Sequence, residues 1–273
     1  MVALFSQDSS APAVPFSNYT PRVAIVTGAA QGIGYAIAQK LADDGIDVAV
    51  NDIISKQTQI GSVVEELRKK GRHAIAIPGD VSNEQEVISM IEKTMVANAG
   101  IAAIGAFLET SGETFDRIYS VNVRGVFFCF KQAALQMIKQ GRGGRLIGLL
   151  LAILLVLCIE FAAIKLQART QNLTAYSAAK FAVRGLTQTA SIELRRHGIT
   201  ANSYAPGYIR TPLGATSDGV DDNCATVRKL FGAPDAPVAE ADTVASIVSY
   251  LVKPEAYFIN GQCISVDGGL RYD

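Results

Sequence analysis

The sequence predicts an α/β fold, a single doubly wound parallel sheet with helices on both faces. Short β-branched runs alternate with segments whose apolar residues recur at helical spacing, the pattern of βαβ units around a sheet covered on both sides. Glycines stand where those helices need C-caps, at Gly45, Gly71 and Gly198. Apolar residues make up 49% of the chain and charged ones 18%, which suits a large buried core and excludes a disordered chain. A chain of 273 residues has room for two average domains, but α/β folds often run as one unit, so one domain is expected over 21–273.

Residues 1–20 read as a flexible N-terminal arm, punctuated by Ser9, Ser10, Pro12, Pro15 and Ser17. The arm holds no Lys or Arg, so it matches neither a secretory signal nor a transit peptide, and a cytoplasmic location is expected. The fold starts near Arg22. Val23 to Thr27, Val48 to Asn51, Ala74 to Ile77 and Ile199 to Ser203 read as strands. Ile33 to Asp44, Ser55 to Lys70 and Ala175 to Arg196 read as helices. Ser82, with Gln85 three residues on, resembles a capping box opening a further helix. Beyond it, Lys93-Thr94-Met95-Val96 leaves too little chain before Asn98 for both a loop and a full strand. Either that helix is cut short or the fourth strand is a stub.

Positive and negative side chains balance at 25 each, so no global field draws the chain to nucleic acid, and no nucleic-acid partner is expected. Cys129, Cys158, Cys224 and Cys263 form no CxxC pair and the chain has only two histidines, so reduced structural thiols and no metal are expected. His73 and His197 read as solvated residues at element ends. The basic run Arg117, Arg124, Lys131, Lys139, Arg142 and Arg145 reads as a solvated helix face rather than a phosphate-binding patch.

The first strand runs into Thr27-Gly28-Ala29-Ala30-Gln31-Gly32-Ile33-Gly34 and then a helix. Glycines there let the backbone turn tightly and approach a pyrophosphate, whose charge a helix N-terminus favours. The second strand ends at Asp52, 18 residues beyond Gly34, close to the roughly 20 at which an acid reaches the adenosine ribose hydroxyls. A carboxylate there repels a 2′-phosphate, and neither Ile53 nor the glycine turn offers an Arg or Lys to hold one. The pattern favours NAD over NADP. Farther on, Tyr176 and Lys180 lie four residues apart on one face of a predicted helix. An ammonium beside a phenol favours the phenolate, so the pair suits a group that gives a proton to a carbonyl or takes one from an alcohol.

Taken together, Gly28-xxx-Gly32-x-Gly34, Asn98-Ala99-Gly100 and Tyr176-Ser177-Ala178-Ala179-Lys180 resemble the classical short-chain dehydrogenase/reductase family. Asp80-Val81, Asn122 in Val121-Asn122-Val123, Pro206-Gly207-Tyr208-Ile209-Arg210-Thr211 and Asp267-Gly268-Gly269 extend the likeness over nearly the whole chain after Arg22. Ala175 to Thr189 is most similar to the acetoin/diacetyl reductase (2,3-butanediol dehydrogenase) branch. The resemblance implies a Rossmann-type sheet and an NAD-dependent oxidoreductase that interconverts a small secondary alcohol and its ketone, of the acetoin and diacetyl kind. Tyr176 would be the acid/base, Lys180 would also hold the nicotinamide ribose, and Asn122 would hold a proton-relay water. The glycine turn, Gln31 and Ile33 included, would cradle the pyrophosphate. Asp80 and Val81 would flank the adenine, Asn98, Ala99 and Gly100 would support the cofactor from the fourth strand, and Ile209 and Thr211, after Pro206-Gly207, would hold the carboxamide. Family members commonly assemble through the helices carrying Asn122 and Tyr176, so a homodimer or homotetramer is expected.

The chain departs from the family in one catalytic feature. The family places a serine between the fifth strand and the tyrosine, yet there is none between Ser120 and Ser177. Counted from Arg145 the serine position falls at Leu151, and counted back from Tyr176 at Ala163, which implies an insertion of about twelve residues within 146–170. Its core, Leu146 to Ile159, is a run of 14 uncharged residues, short of the roughly 20 that span a bilayer as a helix. A buried strand continuing into a helix or loop is expected, with membrane attachment through 146–164 as the alternative. From Leu213 to Ala241, where the family has its substrate lid, Gly214, Gly219, Gly232, Pro234 and Pro237 argue against a long helix. The missing serine leaves a second functional reading, a dinucleotide-binding protein with little or no turnover.

Overall fold

Val23–Val26 (β1), Asp47–Val50 (β2) and Ala74–Ala76 (β3) are joined by the helices Gly32–Asp43 (α1) and Gln57–Lys69 (α2). The structure, a computed structural model, describes residues 19–90, 94–149, 172–212, 224–230 and 232–270. The buried residues of α2, Ile60, Val63, Val64 and Leu67, follow the spacing of one helical stripe. Gly45, in the left-handed region at φ +87°, turns the chain from α1 into β2, where a side chain would be strained.

Next come Glu84–Met90 (α3), Thr94–Ala97 (β4), Gly112–Tyr119 (α4), Val126–Gln140 (α5), Gly144–Leu149 (β5), Thr174–Leu194 (α6) and Ile199–Pro206 (β6). The C-terminal part holds Tyr208–Arg210 (β7), Ala225–Leu230 (α7), Val238–Glu240 (β8), Ala241–Leu251 (α8) and Cys263–Val266 (β9). Among the described residues seven strands form one parallel sheet in the order β3-β2-β1-β4-β5-β6-β9, and β7 pairs with β8. Successive side chains enter opposite layers, as a strand's pleat requires. Ala24, Val26, Val48, Val50 and Ile147 join the core under α1, α2 and α8, while Ile25, Ala49, Leu146 and Ala201 join the core under α5 and α6. Strand order reverses between β1 and β4, and the crevice at the C-terminal ends of those strands is where doubly wound sheets bind ligands.

The shortage of chain before Asn98 is absorbed by the helix. β4 keeps four residues and pairs in register with both β1 and β5, whereas α3 holds seven among the described residues. A central strand with two neighbours satisfies its backbone groups on both edges, which a surface helix does not do for the sheet. The expected cap at Ser82 is corrected: Asn83 Oδ1 accepts from Gln85 N at 3.0 Å and Glu86 N at 3.4 Å, while Ser82 N turns back to Asp80 Oδ1. Asn83 directly precedes the first helical residue, the position from which a short side chain reaches those N–H groups.

Of the apolar run at 146–159, Leu146–Leu149 belong to β5; the rest of the expected insertion, with Leu151 and Ala163, lies outside the described residues. Among the described residues no helix is long and apolar enough to cross a membrane. Of the lid segment, the described part holds α7, six residues long. The basic run does not form one solvated face. Lys131 pairs with Glu84 at 2.8 Å, Arg124 lies over the Phe128 ring, and Arg145 is buried with its guanidinium 4.2 Å from the ring centre of Tyr19, a residue of the expected arm.

Candidate active site

The first strand delivers Thr27 to the mouth of the crevice, where it is clamped to the end of β4. Thr27 Oγ1 accepts from Asn98 N at 3.0 Å and Ala99 N at 2.8 Å, and Asn98 Nδ2 donates to Thr27 O at 2.9 Å and Gly28 O at 3.3 Å. The Tyr204 hydroxyl, from β6, completes the clamp by donating to Asn98 Oδ1 at 2.8 Å. Asn98 thus supports the glycine turn through the backbone. Gly34 has to be glycine because a Cβ there would strike Gly28 O and Asn98 Nδ2, blocking the close approach of α1 to the turn. On the outer side of the turn Gly32 faces Thr211, whose Cβ lies 3.5 Å from where a Gly32 Cβ would be. Gln31 is exposed, and Ile33 packs at the edge of the core beneath α1.

The residues fit a dinucleotide. Gln31 makes no side-chain cap at the start of α1 and the first turn carries no acid, so the helix N-terminus keeps N–H groups for a phosphate. At the end of β2, Asp52 Oδ2 accepts from Ala30 N at 3.2 Å and Oδ1 from Ile53 N at 2.9 Å, which fixes the carboxylate beside the turn. Lys56 Nζ lies 3.6 Å from Asp52 Oδ2. Ile53 and the glycine turn carry no cation, as the sequence shows, but a 3-10 turn at Ile54–Lys56 brings this lysine back over the acid. The i, i+4 spacing of Asp52 and Lys56 was the available signal.

On the far edge, Asn51 Nδ2 donates to Ile77 O at 2.8 Å and Gly79 O at 3.1 Å, tying the segment that carries Asp80 and Val81 to β2. Val81 is buried against Gly125, where a Cβ would come within 2.9 Å of Val81 Cγ2. Pro206 ends β6, and Gly207 closes on Asp267, whose Cα would lie 2.9 Å from a Gly207 Cβ. Ile209 is buried in the α1-side core, which leads the chain to Thr211 at the turn.

Tyr176 and Lys180 sit one turn apart on α6, both buried, with Lys180 Nζ 5.2 Å from the Tyr176 ring centre. Lys180 Nζ donates to Leu149 O, at the end of β5, at 3.2 Å. A Cβ on Gly100 would lie 3.3 Å from Asn122 Oδ1 and 3.6 Å from Lys180 Nζ, so the bare glycine marks where the β4 loop, α6 and the segment before α5 converge. Asn122, fully buried in a π-helical turn at Ser120–Gly125, donates through Nδ2 to Ile101 O at 2.8 Å and accepts at Oδ1 from Ile101 N at 2.9 Å. The amide keeps one hydrogen and one lone-pair site for a further partner.

Burial lowers the Lys180 ammonium to about 8 and pushes the Tyr176 phenol well above its ordinary value. The expectation that Lys180 draws the phenol down is reversed here, because the ammonium lies over the ring face and desolvation dominates. Thr27, Asn51, Lys56 and Tyr204 are the positioning residues that the sequence reading left without a role.

A crevice at a strand-order reversal, edged by a glycine turn on one side and a buried Tyr/Lys pair on the other, defines the class of nicotinamide-dinucleotide oxidoreductases with a doubly wound sheet. A family model described as enoyl-(acyl carrier protein) reductase matches residues 28–271. The chain belongs to the short-chain dehydrogenase/reductase family. It is 42% identical over 269 residues to a short-chain dehydrogenase/reductase of Armillaria gallica, covering 92% of this chain and 97% of the relative. It is 34% identical over 272 residues to the L-2,3-butanediol dehydrogenase of Corynebacterium glutamicum, covering 92% and 99%. Among solved structures, a blue fluorescent protein from a metagenomic library, in complex with NADPH, superposes with a TM-score of 0.78 at 30% identity, covering 93% of this chain and all of that one.

Proposed function

We propose that the protein is an NAD-dependent oxidoreductase that interconverts a small secondary alcohol and its ketone, acetoin and diacetyl being the pair to test first. The observation that carries this reading is the buried Tyr176/Lys180 pair on α6, which converges with Gly100 and Asn122 across the crevice from the glycine turn. The likeness to a butanediol dehydrogenase supports the substrate class.

When bound, the nicotinamide supplies or accepts the hydride. Tyr176 gives its hydroxyl proton to the substrate oxygen as that oxygen gains negative charge. Burial keeps the phenol protonated, the form in which it can donate to the ketone oxygen during reduction. Lys180 turns its N–H donors to the nicotinamide ribose, and Asn122 holds the Ile101 segment in place while offering its remaining amide hydrogen or lone pair to a relay water. Asp52 accepts the adenosine ribose hydroxyls, and its charge disfavours a 2′-phosphate. The glycine turn with Gln31 and Ile33 takes the pyrophosphate, Asp80 and Val81 the adenine, and Ile209 and Thr211 the carboxamide. Exposed Phe127 and Leu135 on α5 and Ile192 on α6 support a homodimer or homotetramer joined through those helices, which sedimentation at micromolar concentration tests; a monomer alone would oppose it.

The absence of any serine between Ser120 and Ser177 favours a second reading, a dinucleotide-binding protein with little or no turnover. Titrating NADH by fluorescence while assaying diacetyl reduction separates the two. Binding with measurable reduction supports the enzyme, binding without reduction supports the second reading, and the loss of both overturns the dinucleotide site itself.

A further inference from the structure

We propose that Lys56 sets how strongly this chain discriminates between NADH and NADPH, as a movable cation that rests on Asp52 and turns to a 2′-phosphate when one is present. The inference rests on the reading of Asp52 as the ribose-binding acid. Two features of the corner carry it. The first is that the acid is fixed while the base is not. Both oxygens of Asp52 are held by backbone N–H groups, from Ala30 and Ile53, and the residue is 8% exposed. Lys56 Nζ approaches Oδ2 only to 3.6 Å, longer than a hydrogen bond, and its side chain is 27% exposed. Its backbone, by contrast, is anchored by the bond from Lys56 N to Ile53 O at 2.9 Å, so the flexible stem swings from a fixed point. At 3.6 Å the pair is held by charge without a hydrogen bond, which leaves the ammonium able to turn to a nearby anion.

The second feature is charge. Among the described residues Lys56 is the one cation within ion-pair distance of Asp52. A ribose diol needs only the carboxylate, which accepts its hydroxyl hydrogens. A 2′-phosphate meets that same carboxylate as a like charge, and the adjacent ammonium both offsets the repulsion and supplies a point charge for the phosphate oxygens. The corner therefore prefers NADH by a modest margin and still admits NADPH, and the margin is set by Lys56.

The test is the dissociation constant for NADH and for NADPH, by fluorescence or calorimetric titration, in the natural chain, Lys56→Met and Lys56→Arg. Lys56→Met should weaken NADPH about tenfold, the loss of one charge-assisted contact. It should leave NADH within about threefold, the scale of a lost surface ion pair. Lys56→Arg should restore NADPH binding. Rising salt should weaken NADPH more than NADH in the natural chain and equally in Lys56→Met. Equal shifts for both cofactors, or no shift, overturn the role of Lys56 while leaving the site intact. If the natural chain binds neither dinucleotide, or Asp52→Asn leaves the NADH-to-NADPH ratio unchanged, the reading of Asp52 fails and takes this inference with it.

Discussion

The two sides of the crevice are held together by different physics. On the dinucleotide side polar groups find partners at once: Thr27 meets the backbone of Asn98 and Ala99, Asn98 meets Thr27, Gly28 and Tyr204, and Asp52 meets Ala30 and Ile53. On the catalytic side Tyr176 and Lys180 are buried against each other, burial moves both away from their ordinary titration, and among the described residues Lys180 donates to one carbonyl, that of Leu149. A network of satisfied hydrogen bonds stabilises the fold, whereas a desolvated ammonium costs stability. Cofactor binding and proton chemistry therefore rest on largely separable structures that meet at Lys180, and changes elsewhere on one side should leave the other standing.

The largest effect expected from breaking that separation concerns the missing serine. A variant that deletes about twelve residues within Leu150 to Leu166 and places serine at the rejoined position should reduce diacetyl faster by about 10²–10³, the usual value of one donor to a developing oxyanion. NADH affinity should not change. Equal rates before and after would mean that another group, Thr170 or a bound water, already does the serine's work.

Next in size is a gain in stability. Lys180 titrates at about 8 in the folded chain against an ordinary 10.5, so below pH 8 the fold holds a buried ammonium that the unfolded chain leaves in water. Lys180→Met should lose activity yet be more stable at pH 7 by up to about 3 kcal/mol in urea denaturation. The sign fixes the window: the natural chain regains stability as pH rises from about 8 towards 10.5, so the advantage of the variant is full below 8 and fades above it. A constant advantage across that range would mean that packing, not charge, is the cause. Smaller again, Tyr204→Phe leaves the buried Asn98 Oδ1 without its donor and should cost about 1–3 kcal/mol. NADH affinity should fall with it while the ratio of diacetyl reduction to bound NADH stays constant.

Much of the candidate site was legible because its signals are local. The glycine turn and the Tyr176/Lys180 spacing are written within a few residues, and strand and helix periods place them at element ends. The Tyr204–Asn98 bond joins residues 106 apart, and only the sheet order, which puts β6 two strands from β4 with β5 between, brings them together. Lys56 was missed for a subtler reason: its spacing from Asp52 is helical, but contact required the chain to turn immediately after β2. The cap moved from Ser82 to Asn83 because Asp80 captures the Ser82 N–H. At the fourth strand the sequence posed a choice between a short helix and a stub, and pairing on both edges decided it for the strand.

The separation of the two sides is tested most directly by Tyr176→Phe, assayed for NADH binding and diacetyl reduction in the same preparation. The substitution removes one hydroxyl and keeps the ring against Lys180. It should lower reduction by about 10³, within the range for a lost general acid, with NADH affinity equal to that of the natural chain. Undiminished reduction, or NADH binding lost together with reduction, would contradict the account.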